Sequence, residues 1–147
     1  MKLKRAKLIS LLIFMLLLSV TGGHFLPPFG VLFSPIIMSL MTYLILFTHN
    51  SFKILAKSVL SYLCIGLNDV GIKLFAGGVH DFEGMGFVHL LLFIGLAPCL
   101  VMLLMAVKSD EHSNKWIKVL SIVVFILLIY IHIQLFQTLG IVKSRYI

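Results

Sequence analysis

Five stretches of the chain are almost continuously apolar, and short polar, glycine- or proline-bearing segments separate them. They cover residues 8–26, 31–49, 54–76, 87–107 and 116–140. Each is long enough to cross a hydrocarbon layer of ~30 Å, which takes about 20 helical residues. None alternates in the two-residue rhythm of a barrel strand. In lipid, every backbone N–H and C=O must find an internal partner, so segments of this kind are predicted to be helices. The links between them are residues 27–30 (PPFG), 49–53, 77–86 (GGVHDFEGMG) and 108–115 (KSDEHSNK). Links this short make sequential helices pack antiparallel. The expectation is therefore an all-α integral membrane protein: a single domain over residues 1–147, built as a polytopic bundle of about five transmembrane helices, or four if the third segment does not cross. No internal repeat is visible, and five spans do not divide into inverted halves.

Composition supports this pattern. Hydrophobic residues make up 61% of the chain and charged residues 12%, against ~45–50% and ~25% in soluble domains. That leaves too little polar surface to solvate a globule. The net charge of +7 would suggest nucleic acid in a soluble chain. Here the cations sit at segment ends, where they meet anionic headgroups and set orientation, and no nucleic-acid-binding pattern is present. The expected partners are the lipid bilayer and other membrane subunits or further copies of the chain. Cys64 and Cys99 both fall inside apolar segments and read as free thiols.

Lys2, Lys4, Arg5 and Lys7 precede the first apolar run in the manner of a signal-peptide n-region, but no A-x-A cleavage site follows. The first segment is read as a retained helix with its N-terminus in the cytoplasm, in the plasma or inner membrane. Five spans then place Lys2, Lys4, Arg5, Lys7, Lys53, Lys57, Lys108, Lys115 and Lys118 inside, and Lys73, Lys143 and Arg145 outside. Four spans exchange Lys108, Lys115 and Lys118 for Lys73, Lys143 and Arg145, which leaves the balance unchanged. Charge counting does not separate the two; the length of the third segment favours five.

The polar residues inside the segments carry what chemistry there is. Asn68 and Asp69 lie past the midpoint of the third segment, with Lys73 four residues beyond Asp69. That spacing lets Asp69 and Lys73 pair on one helix face, in a stripe with Ser58, Tyr62 and Ile65. A charge at membrane depth costs ~2.5–3.5 kcal/mol on insertion scales, so the stripe is expected to face protein or a wet cavity. The pair is either a structural tie or a site for ions or protons. In the five-span arrangement His24, Ser34, Ser39, His89, His132, Gln134, Gln137 and Thr138 fall in the same outward half, and Tyr130, Gln134, Gln137 and Thr138 share one face. The connection 77–86 adds His80, Asp81 and Glu83. His49 and Lys57 border the inner half. The binding or translocation candidates are Asn68, Asp69, Lys73, His80, Asp81, Glu83, His89, His132, Gln134 and Gln137.

Five of the 11 glycines lie between residues 71 and 86. They read as a hairpin or as a lid over the polar cluster, and no phosphate-loop pattern accompanies them. Pro98 is expected to kink the fourth helix, and Gly95 with Cys99 makes a small-residue patch for close packing. His80, His89, Asp81 and Glu83 do not match an established zinc spacing, and no cofactor or catalytic residue is indicated. G-x-S-x-G and H-E-x-x-H are absent. Three readings result: a small-solute or ion translocation protein, a non-catalytic accessory or assembly subunit of a larger membrane complex, and a haem-binding subunit using His89 and His132.

Overall fold

The computed structural model describes residues 4–48 and 52–141; Lys2, His49, Lys143 and Arg145 lie outside the described residues. The order is α1 (Arg5–Phe25), α2 (Phe29–Leu32), α3 (Ser34–Phe47), α4 (Ile54–Phe75), α5 (Phe82–Ser109) and α6 (Lys115–Phe136). No strand occurs among the described residues. With α2 and α3 taken together as Phe29–Phe47, five helices are long and apolar enough to cross a membrane. The third apolar segment is one of them, an unbroken helix of 22 residues.

Two helix ends depart from the pattern in the sequence. α5 begins at Phe82, well inside the glycine-rich segment, because Asp81 caps it: its Oδ1 accepts from the Gly84 N–H at 2.7 Å. A capping carboxylate satisfies one of the orphan N–H groups of a first turn, and is worth about 1 kcal/mol. Gly84 and Gly86 are thus helical, and the connection shortens to residues 76–81. At the other extreme α6 stops at Phe136. Gly140 then adopts a φ of +88°, and a Cβ there would lie 2.2 Å from the Lys73 carbonyl oxygen, so only glycine fits. α5 runs through Pro98 as one helix of 28 residues.

Side-chain ties fix the directions. Ser58 Oγ donates to the Ser121 carbonyl, His132 meets Asp69, and Lys73 Nζ donates to the Phe136 carbonyl, all at a separation of 63 residues. A constant offset means that α4 and α6 run parallel and in register. α1 is parallel to α4 as well: the Gly77 N–H donates to the Gly23 carbonyl at 3.1 Å and His24 Nδ1 to the Phe75 carbonyl at 2.7 Å. The intervening helices return antiparallel. One end of the bundle therefore holds Arg5, over the Phe52 ring, with Lys57 donating to the Leu46 carbonyl. The other end holds His24, His80 and Gly140.

α4 touches α1, α3, α5 and α6. The least apolar of the long helices is thus the central one, where protein rather than its surroundings meets its polar stripe. Leu8, Leu12, Met15, Met41, Ile45 and Cys64 fill the space between α1, α3 and α4. Ile65, Leu92, Leu103 and Phe125 fill the α4–α5–α6 side. The Gly95–Cys99 patch packs as its small residues suggest: a Cβ on Gly95 would come within 2.2 Å of Met38, and Thr42 Oγ1 donates to Cys99 Sγ at 3.3 Å. Outward-facing positions carry large apolar side chains, among them Phe14, Phe25, Phe82, Trp116 and Leu135.

Candidate functional site

The stripe on α4 brings Asp69 and Lys73 one turn apart, and the side chains close into an ion pair with Nζ 2.6 Å from Oδ2. The same Oδ2 accepts a hydrogen bond from His132 Nε2, on α6, at 2.9 Å. Asp69 is 3% exposed, Lys73 0% and His132 2%. One carboxylate oxygen is thus shared by two proton donors from different helices, out of contact with solvent.

Helix ends explain why a lysine is tolerated here. Lys73 lies in the last turn of α4, and its Nζ also donates to the carbonyl of Phe136, the last residue of α6, at 3.1 Å. The final carbonyls of a helix lack intrahelical partners and carry the negative end of its dipole. Two parallel helices ending together offer that potential twice, and the Asp69 carboxylate completes the compensation.

The imidazole of His132 is held by what surrounds it. Its ring stands edge-on to Tyr62 at 6.1 Å and tilted against Phe136 at 4.8 Å. Gly66 forms the floor: a Cβ there would come 3.3 Å from His132 Nδ1. Facing a carboxylate oxygen, Nε2 carries the proton of this contact. Neither Gly66 nor the Phe136 carbonyl was among the sequence candidates. Gly66, three residues before Asp69, was legible in principle as a small residue on the same face; the carbonyl was not, because its role depends on where α6 stops.

Asn68 faces the other way. Its Nδ2 donates to Ser34 Oγ at 2.9 Å, while its Oδ1 is buried without a partner. A crevice lined by Ser34, Asp69, Ile72, Val88 and Leu91 connects this region with α5 and leaves no room for a water molecule.

The remaining candidates divide. His80 Nδ1 donates to the Gly140 carbonyl at 3.1 Å, which ties the segment after α6 to the 76–81 connection. That contact lies above Lys73, whose carbonyl Gly140 covers. Asp81 is the α5 cap and Glu83 is exposed in the first turn; neither joins the triad. His89 donates from Nδ1 to the Met85 carbonyl, and its Nε2 is buried without a partner. Gln134 and Tyr130 lie exposed on α6, and Gln137 and Thr138 lie exposed in the turn that follows it. Residue 134 is two steps of 100° from His132, so a helix that turns the imidazole inward must turn the glutamine outward. His24 is exposed and Ser39 donates to the Pro35 carbonyl. No group of three or more metal-ligating side chains gathers among the described residues.

The opposite end of the bundle has a wider recess of about 590 Å³, bordered by Leu46, Phe52, Lys57, Ala106, Asp110 and Ile117. A hydrogen bond from Ser113 holds the Asp110 carboxyl below the usual carboxylate range, with the His112 N–H adding to it. No protein-family model, curated protein or solved structure matches the chain significantly, so the role of the triad rests on its chemistry.

Proposed function

We propose that the chain is an integral membrane protein with its N-terminus in the cytoplasm, and that it moves protons through the Asp69–Lys73–His132 triad. Two things support the membrane placement: five helices of spanning length, and outward faces covered with Phe, Leu and Ile well beyond the few hundred Å² of apolar patch a soluble monomer exposes. The observation that carries the function is the shared Oδ2, 2.6 Å from one donor and 2.9 Å from the other. A charged site at this depth is costly to keep, and ionisable groups buried in helical bundles mark ion and proton pathways. The tightness of the crevice beside Asp69 favours a proton over a hydrated ion or a solute, because a proton passes by exchange along hydrogen bonds. Imidazole is the side chain that changes charge near neutral pH. In this reading His132 first takes a proton at Nδ1 and becomes imidazolium; it then passes the Nε2 proton to Asp69 and returns to neutral imidazole with its proton on Nδ1, while Lys73 keeps the Phe136 carbonyl as the carboxylate is neutralised.

A second reading, an accessory or assembly subunit, draws on the same geometry. A fully satisfied triad also serves to tie α6 to α4. The test must separate transfer from folding. Asp69→Asn alone strands a buried Lys73, and breaking such a pair costs ~3–5 kcal/mol. Asp69→Asn with Lys73→Gln keeps size and hydrogen bonding but removes both charges. In proteoliposomes with an interior pH dye, the wild type is expected to dissipate an imposed pH gradient and the folded double variant to do so at the protein-free rate. Equal rates for the two proteins would leave the triad a structural tie.

A further inference from the structure

α6 is the least covered of the long helices: among its described residues only Ser121, Phe125 and His132 are buried. On its outer side five residues recur at alternating steps of three and four, Leu120, Val123, Leu127, Tyr130 and Gln134, and all five are exposed. This is the spacing of a left-handed coiled-coil seam. Any apolar helix offers aliphatic stripes; this one differs in where its polar groups fall. From Leu120 to Phe136 every exposed polar side chain of the helix lies on the stripe, while the exposed residues beside it, Ile126, Ile131 and Leu135, are aliphatic. Hydrocarbon offers an amide no hydrogen-bond partner. The stripe therefore needs a neighbour that hydrogen-bonds, and its flanks do not.

We infer that the neighbour is α6 of a second copy of this chain, packed parallel about a two-fold axis. Across such an axis each residue faces its own counterpart. A glutamine amide both donates and accepts, as does a tyrosine hydroxyl, so Gln134 pairs with Gln134 and Tyr130 with Tyr130. Two copies oriented by the same basic N-terminal residues run in the same direction, which makes parallel pairing the available geometry. Glutamine pairs between membrane helices associate them, and the aliphatic half of the stripe supplies the close packing. The inference rests on the membrane placement and on no other part of the proposed function.

The test uses the full chain in native membranes, with single cysteines introduced as Val123→Cys, Leu127→Cys and Tyr130→Cys on the stripe and Ile126→Cys and Ile131→Cys beside it. Cys64 and Cys99 are buried and stay out of the reaction. On copper–phenanthroline oxidation the stripe positions are expected to give a product of twice the 16.5 kDa chain mass, with the flanking positions at least fivefold weaker. Gln134→Leu is expected to weaken dimerisation about tenfold in a bilayer energy-transfer titration, and Gln134→Asn to retain most of it. Equal cross-linking at all five positions, an adduct of another mass, or an unchanged titration for Gln134→Leu overturns the dimer. Alkaline carbonate separates the premises: release of the protein removes the membrane placement and the dimer with it, whereas retention without stripe-selective cross-links removes the dimer alone.

Discussion

At the residue scale, the glycines divide by what stands opposite them. A Cβ on Gly30 would lie 2.0 Å from the Gly22 carbonyl oxygen, which is backbone in the neighbouring helix, whereas on Gly66 it would meet the His132 ring at 3.3 Å. A ring can give by a few tenths of an ångström, and alanine gains about 1 kcal/mol of helix propensity over glycine. Backbone cannot give without parting α1 from α2. Gly30→Ala is therefore expected to cost ~2 kcal/mol or more, in the range of overpacked cores, and Gly66→Ala to stay within ~1 kcal/mol. Thermal unfolding of both variants in the same detergent gives the ranking, and the reverse order would show the close approach at Gly30 to be unimportant. The Asp69–Lys73 pair was legible from i,i+4 spacing alone. That His132 completes it was not, because nothing local links residues separated by 63 positions.

At the element scale, the apolar windows located all five long helices, because length and hydropathy are local quantities. The ends were harder. The glycines at 84 and 86 suggested a loop, and the aspartate just before them decided otherwise. Asp81→Ala is expected to cost about 1 kcal/mol, with the damage confined to the first turn of α5. Faster amide hydrogen exchange at Gly84 and Met85, with exchange at Leu103 unchanged, is the signature to look for; uniform acceleration along α5 would mean that the cap does more than hold its own turn. Of the face read for Tyr130, Gln134, Gln137 and Thr138, only Tyr130 and Gln134 lie within the helix, because α6 stops at Phe136; periodicity also does not say which way a face points. Only the packing of His132 against α4 turns it outward.

At the scale of the whole molecule, sidedness governs the meaning of every site. The proposed cytoplasmic N-terminus would put the 76–81 connection outside and the link between α5 and α6 inside. Gly78 sits at a φ of +71° with open space around its Cβ position, so a side chain there strains the backbone without a clash, and Ser113 lies in the other link. Gly78→Cys is expected to react with an impermeant maleimide on intact cells, and Ser113→Cys only after permeabilisation. The opposite result inverts the bundle and carries Asp69 to the cytoplasmic half. The bundle also has an order in time. A chain made from its N-terminus delivers α4 63 residues ahead of the helix that completes its hydrogen bonds. In the proposed membrane placement, the least apolar span would wait at the insertion machinery, or against α1 and α3, with Asp69 and Lys73 having only each other. Biogenesis is then committed by the last helix to arrive, and a nascent chain stopped before α6 would carry an unfinished charged face, the kind of flaw by which membrane quality control recognises its clients.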